Sequence, residues 1–95
     1  KLHFPNVFTP NADGYNDYFV PEEQNILDFN LKIYNRWGMR IFHTTDPKQG
    51  WDGSYINQSA DDGVYFYVVD YREWEGTQGG MILHQQGTVT LIRSR

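Results

Sequence analysis

The chain is 95 residues long with 17% aromatic residues, no cysteine and a formal net charge of -4, a length that suits one small domain burying about two thirds of its unfolded surface. The negative balance and dispersed Lys and Arg exclude the basic face that nucleic acid requires, and the absence of cysteine excludes a disulfide scaffold and thiol chemistry. A mean hydropathy of -0.68 beside so many aromatics describes a polar exterior around an aromatic core, not a disordered tail.

No apolar run approaches the roughly 20 residues that span a bilayer, so no membrane insertion of its own is expected. The first residues lack the basic-then-apolar pattern of a secretory signal. The chain opens at Lys1 without Met, which reads as a single domain, 1–95, taken from a longer polypeptide.

Phe4 to Phe8 is a short apolar segment whose Pro5 cannot donate to a central ladder, which points to an edge strand. Thr9 to Asp17, TPNADGYND, is dense in turn formers and reads as an ordered polar loop. Its Asn11, Asp13, Asn16 and Asp17 offer the oxygen ligands that Ca²⁺ prefers. Thr9 stands where a calcium loop has its first Asp, however, and no Glu falls at the twelfth position. Capping of backbone N–H groups is therefore the favoured reading, with calcium the alternative.

Tyr18 to Val20 is a strand candidate ended by Pro21, and Glu22 to Asn25 link it to Ile26 and Leu27. Leu31 to Phe42, LKIYNRWGMRIF, holds two apolar runs around Asn35, Arg36, Trp37 and Gly38, the pattern of a β-hairpin with its turn at the interruption. Trp37 is expected in the core or at its rim, because a buried indole contributes one of the largest apolar areas available. Trp51-Asp52-Gly53 marks a tight turn with Trp51 packing onto the fold, and Ser54 to Asp62 reads as a loop or weak strand.

Gly63 to Tyr71, GVYFYVVDY, is the strongest strand signal. Tyr65, Tyr67, Val69 and Tyr71 share one face, and Val64, Phe66, Val68 and Asp70 the other, which predicts a central strand covered on both sides. Trp74 to Gly80 reads as a polar connecting loop, in which Trp74 between Glu73 and Glu75 is the best candidate for an exposed glycan-binding platform. Gly87 is expected to mark a bulge before a final strand, Thr88 to Ile92. Short strands separated by turns, with no long amphipathic helix, predict an all-β fold: an antiparallel β-sandwich of about seven strands, immunoglobulin-like in architecture and without a disulfide.

No catalytic constellation is visible, and no enzyme is expected. His3, His43 and His84 are isolated, Ser54, Ser59 and Ser94 lack a nucleophile-elbow context, and the acidic residues are scattered through turns. Apart from the calcium alternative, no cofactor is implied.

Five blocks carry a resemblance: FTPNADGYNDYF at Phe8 to Phe19, LKIYNRWGMRIF, WDG at Trp51 to Gly53, GVYFYVV at Gly63 to Val69 and GTVTLIR at Gly87 to Arg93. Their content and order resemble the gliding motility-associated C-terminal domain, the type B sorting domain of the Bacteroidetes type IX secretion system. Two departures are Ala12, where that family usually has Gly, and the Ser94-Arg95 extension. The resemblance implies a C-terminal address that directs a covalently attached N-terminal cargo through the periplasm and across the outer membrane. It also implies recognition by the outer-membrane secretion machinery and a final location at the cell surface or outside the cell. The loop Asn11 to Asp17 and the hairpin tip Asn35, Arg36, Trp37 and Gly38 are the first places to look for the surface that is read. The alternative is a carbohydrate- or protein-binding module of a surface adhesin or enzyme.

Overall fold

In the computed structural model, which describes residues 2–10, 17–23, 25–75 and 78–93, the apolar runs become strands. They are β1 (Val7–Phe8), β2 (Ile26–Tyr34), β3 (Arg40–Thr44), β4 (Ser54–Tyr55), β5 (Gln58–Ser59), β6 (Gly63–Glu75), β7 (Gln78–Gly79) and β8 (Leu83–Leu91). No helix occurs among the described residues, so the chain is all-β. The main sheet runs β1-β8-β6-β2-β3 with β7 folded back onto β6, while β4 and β5 pair only with each other as a small ribbon. Pairs joined by hairpins are antiparallel. β1 lies parallel to β8, which makes the sheet mixed: no turn joins these two strands, and only a tight turn forces reversal of direction.

β6 is central, as its composition predicts, with β8 on one side and β2 on the other. Its two faces differ. Tyr65, Tyr67, Val69 and Tyr71 are buried with Phe29, Leu31, Ile33, Val89 and Leu91 in one core. Phe66 on the opposite face stays 46% exposed, and Val64 is equally open. The expectation of cover on both sides is thus corrected: Phe4, Phe8, Phe19 and Trp51, from outside β6 and its flanking strands, pack on the inner face, while Val64 and Phe66 on the outer face stay exposed.

That cover is aromatic. Phe19 and Trp51 exchange backbone hydrogen bonds of 2.8 and 3.1 Å, and the Trp51 ring lies 5.3 Å from Phe8 and 5.1 Å from Tyr65. Phe4 stacks on Phe19 at 4.8 Å and meets Tyr67 at the same distance. Such offset and tilted pairs add to the burial of area alone.

Gly87 is not a bulge. It pairs with Tyr67 within an unbroken register from Gly63↔Leu91 to Tyr71↔Leu83. A Cβ there would stand 2.7 Å from the Tyr67 hydroxyl and 2.9 Å from its ring, so the missing side chain is the room in which that ring lies.

The register defines two ends of the sheet. Tyr34↔Phe66 and Gly63↔Leu91 lie at one, and Ile26↔Glu73 and Tyr71↔Leu83 at the other. Residues 2–8 form a strap between them. Leu2 is held toward the second end by the Gln85 side-chain amide, which accepts its N–H at 3.1 Å and donates to its carbonyl at 2.9 Å. The strap finishes at the first end, where β1 joins β8 through Thr90 N–H to Asn6 O and Ile92 N–H to Phe8 O.

Candidate functional site

The turn at the first end is built by Asn35. Its backbone N–H donates to Met39 O, its own carbonyl accepts the Gly38 N–H, and both bonds are 3.0 Å. Its side-chain Oδ1 accepts the Trp37 and Met39 N–H groups, also at 3.0 Å. Asn supplies this capping oxygen, and Gly38 at φ 80° supplies the left-handed residue that closes a three-residue loop between antiparallel strands. The register shift between Ile33 and Tyr34 leaves one extra residue on the facing strand, Ile41 of β3.

This loop projects past the sheet. Trp37 is therefore 78% exposed, which corrects the expectation that it is buried: among the described residues no element lies beyond the tip to cover it. Beside it the Arg36 guanidinium carbon sits 5.1 Å from the indole centroid, a cation–π arrangement that holds the two side chains together. Among the described residues no carboxylate pairs with Arg36.

The ribbon stands across from the tip. β4 and β5 turn through Ile56 at φ 51° and Asn57 at φ 61°, the two positive values of a type I′ hairpin. Asn tolerates that conformation. For the β-branched Ile56 it is strained, and this side chain is 74% exposed. Between ribbon and tip runs an open groove of about 230 Å³, lined by Arg36, Trp37, Ile41, Tyr55, Ser59 and Tyr65 among others. The Tyr55 hydroxyl reaches Met39 Sδ at 3.8 Å. The Tyr65 hydroxyl donates to the Asp61 carbonyl at 2.6 Å. Burial, followed by the nearby Asp61 charge, pushes the Tyr65 phenol up from its ordinary value. An exposed indole, a cation and a polar-aromatic wall make this a surface suited to a protein partner.

The other expected site residues lie elsewhere. Asn11, Asp13 and Asn16 fall outside the described residues. Asp17 borders a shallow depression of about 150 Å³ with Pro10, Tyr18 and Asp52, and Asp52 Oδ1 is engaged by the Ser54 N–H at 3.1 Å and hydroxyl at 2.6 Å. Among the described residues no three His, Asp or Glu side chains gather as a metal site. Trp74 is not in a loop: β6 extends through it, and it pairs with Gly79 of β7 at the end of the sheet away from the groove. It is 42% exposed.

Sequence reasoning missed the partners of the histidines. Asp70 and His84 are directly opposed in the β6–β8 register, and the carboxylate meets Nδ1 at 2.5 Å. His43 Nε2 meets Asn30 at 2.9 Å, and His3 meets Glu23. Each pair requires the strand or strap alignment, which spacing along the chain does not reveal. The ribbon was missed as a wall of the groove, because the β-branched Ile56 gives no sign of a positive-φ turn position and only Asn57 is a turn former.

The family model described as the CHU_C type IX secretion signal domain matches residues 2–91. No curated protein matches the chain.

Proposed function

The chain belongs to the CHU_C type IX secretion signal domain family, and on that premise we propose that it is read as a folded unit, through the groove between the hairpin tip and the β4–β5 ribbon. A type IX secretion signal carries a sorting role in export to the cell surface or the medium. In the finer reading, a larger cargo precedes Leu2 and is carried across the outer membrane when the secretion machinery engages Arg36, Trp37 and the facing ribbon.

The observation that carries this reading is the exposure of Trp37 beside an Arg36 that has no carboxylate partner among the described residues. An indole left in water costs apolar hydration and contributes nothing to the core, so its location suits an interface better than a fold. The strap supports the same arrangement. It brings the start of the chain toward the opposite end of the sheet, where preceding cargo would leave the groove clear.

A reporter fused to the N-terminus of the chain, in a host with the matching machinery, tests this. The parent fusion is expected outside the cell. Trp37→Ala and Arg36→Ala are expected to leave it in the periplasm with the domain folded. Export of both variants at the parent level would remove the tip from the recognition surface, and retention of a stable parent fusion would remove the sorting role. The carbohydrate-binding alternative predicts heat on titration with a polysaccharide and its loss in Trp74→Ala.

A further inference from the structure

Arg93 lies two residues past β8 and takes no part in the walls of the groove, yet it bonds to the segments that set one of them. Its Nη2 donates to the Gly53 carbonyl at 2.7 Å and the Ala60 carbonyl at 3.3 Å, and its Nη1 to the Pro10 carbonyl at 3.4 Å. Its backbone N–H donates to Asp62 Oδ2 at 3.2 Å. Gly53 and Ala60 are the residues immediately before β4 and immediately after β5, and the Ala60 N–H closes this neck onto Gly53 O at 2.8 Å.

Since β4 and β5 pair only with each other, their placement depends on such side-chain bonds. Trp51 Nε1 bonds one leg, at Ser54 O and 3.0 Å, and the Tyr65 hydroxyl bonds the exit at Asp61. Arg93 bonds both legs at once. Only a planar guanidinium presents several donors in a fixed fork. The neck is shaped for it: Gly53, at φ +82°, would place a Cβ 2.9 Å from Arg93 Nη2 and 3.0 Å from Leu91 Cδ1.

We propose that Arg93 is the positioning residue of the tip groove, its guanidinium holding both legs of the β4–β5 ribbon through Nη2 and the Pro10 carbonyl through Nη1 at the end of β8, so that Tyr55 and Ser59 face Arg36 and Trp37. The consequence for export rests on the reading of the groove given above, whereas the placement of the ribbon does not. Removing the fork leaves the strands of the main sheet in place and frees the ribbon to swing, so the groove loses one wall.

Amide hydrogen exchange on the full 95-residue chain reads the placement. In Arg93→Ala the Ala60 amide is expected to exchange about tenfold faster or more, with the β6–β8 ladder amides unchanged, because local opening need not follow global stability. Arg93→Lys keeps charge and stem without the fork and is expected to fall between the two. Unchanged exchange at Ala60 in Arg93→Ala overturns the proposal. So does loss of protection throughout β2, β6 and β8 in both variants, since Arg93 would then hold the fold and not the ribbon. Reporter export separates the two readings. A loosened ribbon with the reporter retained supports both, while a loosened ribbon with the reporter exported upholds the role of Arg93 and removes the groove as the surface that is read.

Discussion

Trp51 and Trp37 each sit close to a glycine at positive φ, in a polar break between apolar runs, and they have opposite fates. Trp51 is fully buried and Trp37 is 78% exposed. The segment around Trp51 crosses the inner face of the sheet, tied to Phe19 by two backbone bonds and to Ser54 O through its indole N–H. The segment around Trp37 is a three-residue turn that sends the chain straight back along the sheet. Residue type thus sets how much apolar area is available to bury, and the geometry of the connection decides whether it is buried.

The largest effect that tests this contrast is at Trp51. Trp51→Ala is expected to cost about 3–5 kcal/mol in urea unfolding, and Trp37→Ala to change stability within about 0.5 kcal/mol. Comparable losses in the two variants would mean that the tip indole packs in solution. A smaller effect, of about 1–3 kcal/mol, is expected for Gly87→Ala, because a Cβ forced against the Tyr67 ring overpacks the inner face. Its neighbour Thr88 points outward, and Thr88→Ala is expected within about 0.5 kcal/mol. A neutral Gly87→Ala would show that Tyr67 shifts aside at no cost.

These residues also show how far the sequence could be read. The β6 alternation placed Tyr65, Tyr67, Val69 and Tyr71 on one buried face, since period two along a strand is local information. Val64, Phe66 and Val68 looked equally fit for cover, and whether anything covers them depends on where the connections run, which is global. Gly87 was legible as an exception but not as the right one: a bulge and a ring seat both call for glycine, and only the register distinguishes them. At the site, Asn35 and Gly38 announced the turn correctly. The opposing ribbon and Arg93 were hidden because Arg36 and Tyr55 come to one groove, and Arg93 to Gly53 and Ala60, only through the third dimension.

The strap offers a weaker test, because it lays Phe8 against Trp51 and nothing comparable among the described residues covers Trp37. One oxygen of Glu23 accepts the His3 backbone N–H at 2.8 Å and the other meets the imidazole. The ring contact foremost holds the Glu23 carboxyl below its ordinary value of 4.5, with slight burial opposing it. A carboxyl depressed in the folded state binds fewer protons there than in the unfolded chain. Its contribution is therefore complete above 4.5 and lost as pH falls through the lower folded value. Melting temperatures of the parent are expected to fall more steeply over that acid range than those of Glu23→Gln. Parallel curves would show that His3 and Glu23 do not fasten the strap in solution. The site is exposed, so the difference is expected to be small.

The smallest effect is expected where the strap leads into residues 9–17 on the way to Phe19. Asn11, Asp13, Asn16 and Asp17 offer calcium-type oxygens, but the same side chains suit capping of the loop's own N–H groups. Asp52, which borders the same depression as Asp17, already spends one carboxylate oxygen on Ser54. A cation bound only to the folded chain would stabilise it by mass action. A chelator is therefore expected to leave the melting temperature unchanged if capping alone orders the loop. A fall on chelation, restored by Ca²⁺ and absent in Asp13→Asn with Asp17→Asn, would assign the loop a metal. Part of the anchoring of Phe19 and Trp51 would then belong to that ion, and the contrast with the tip would rest on more than packing.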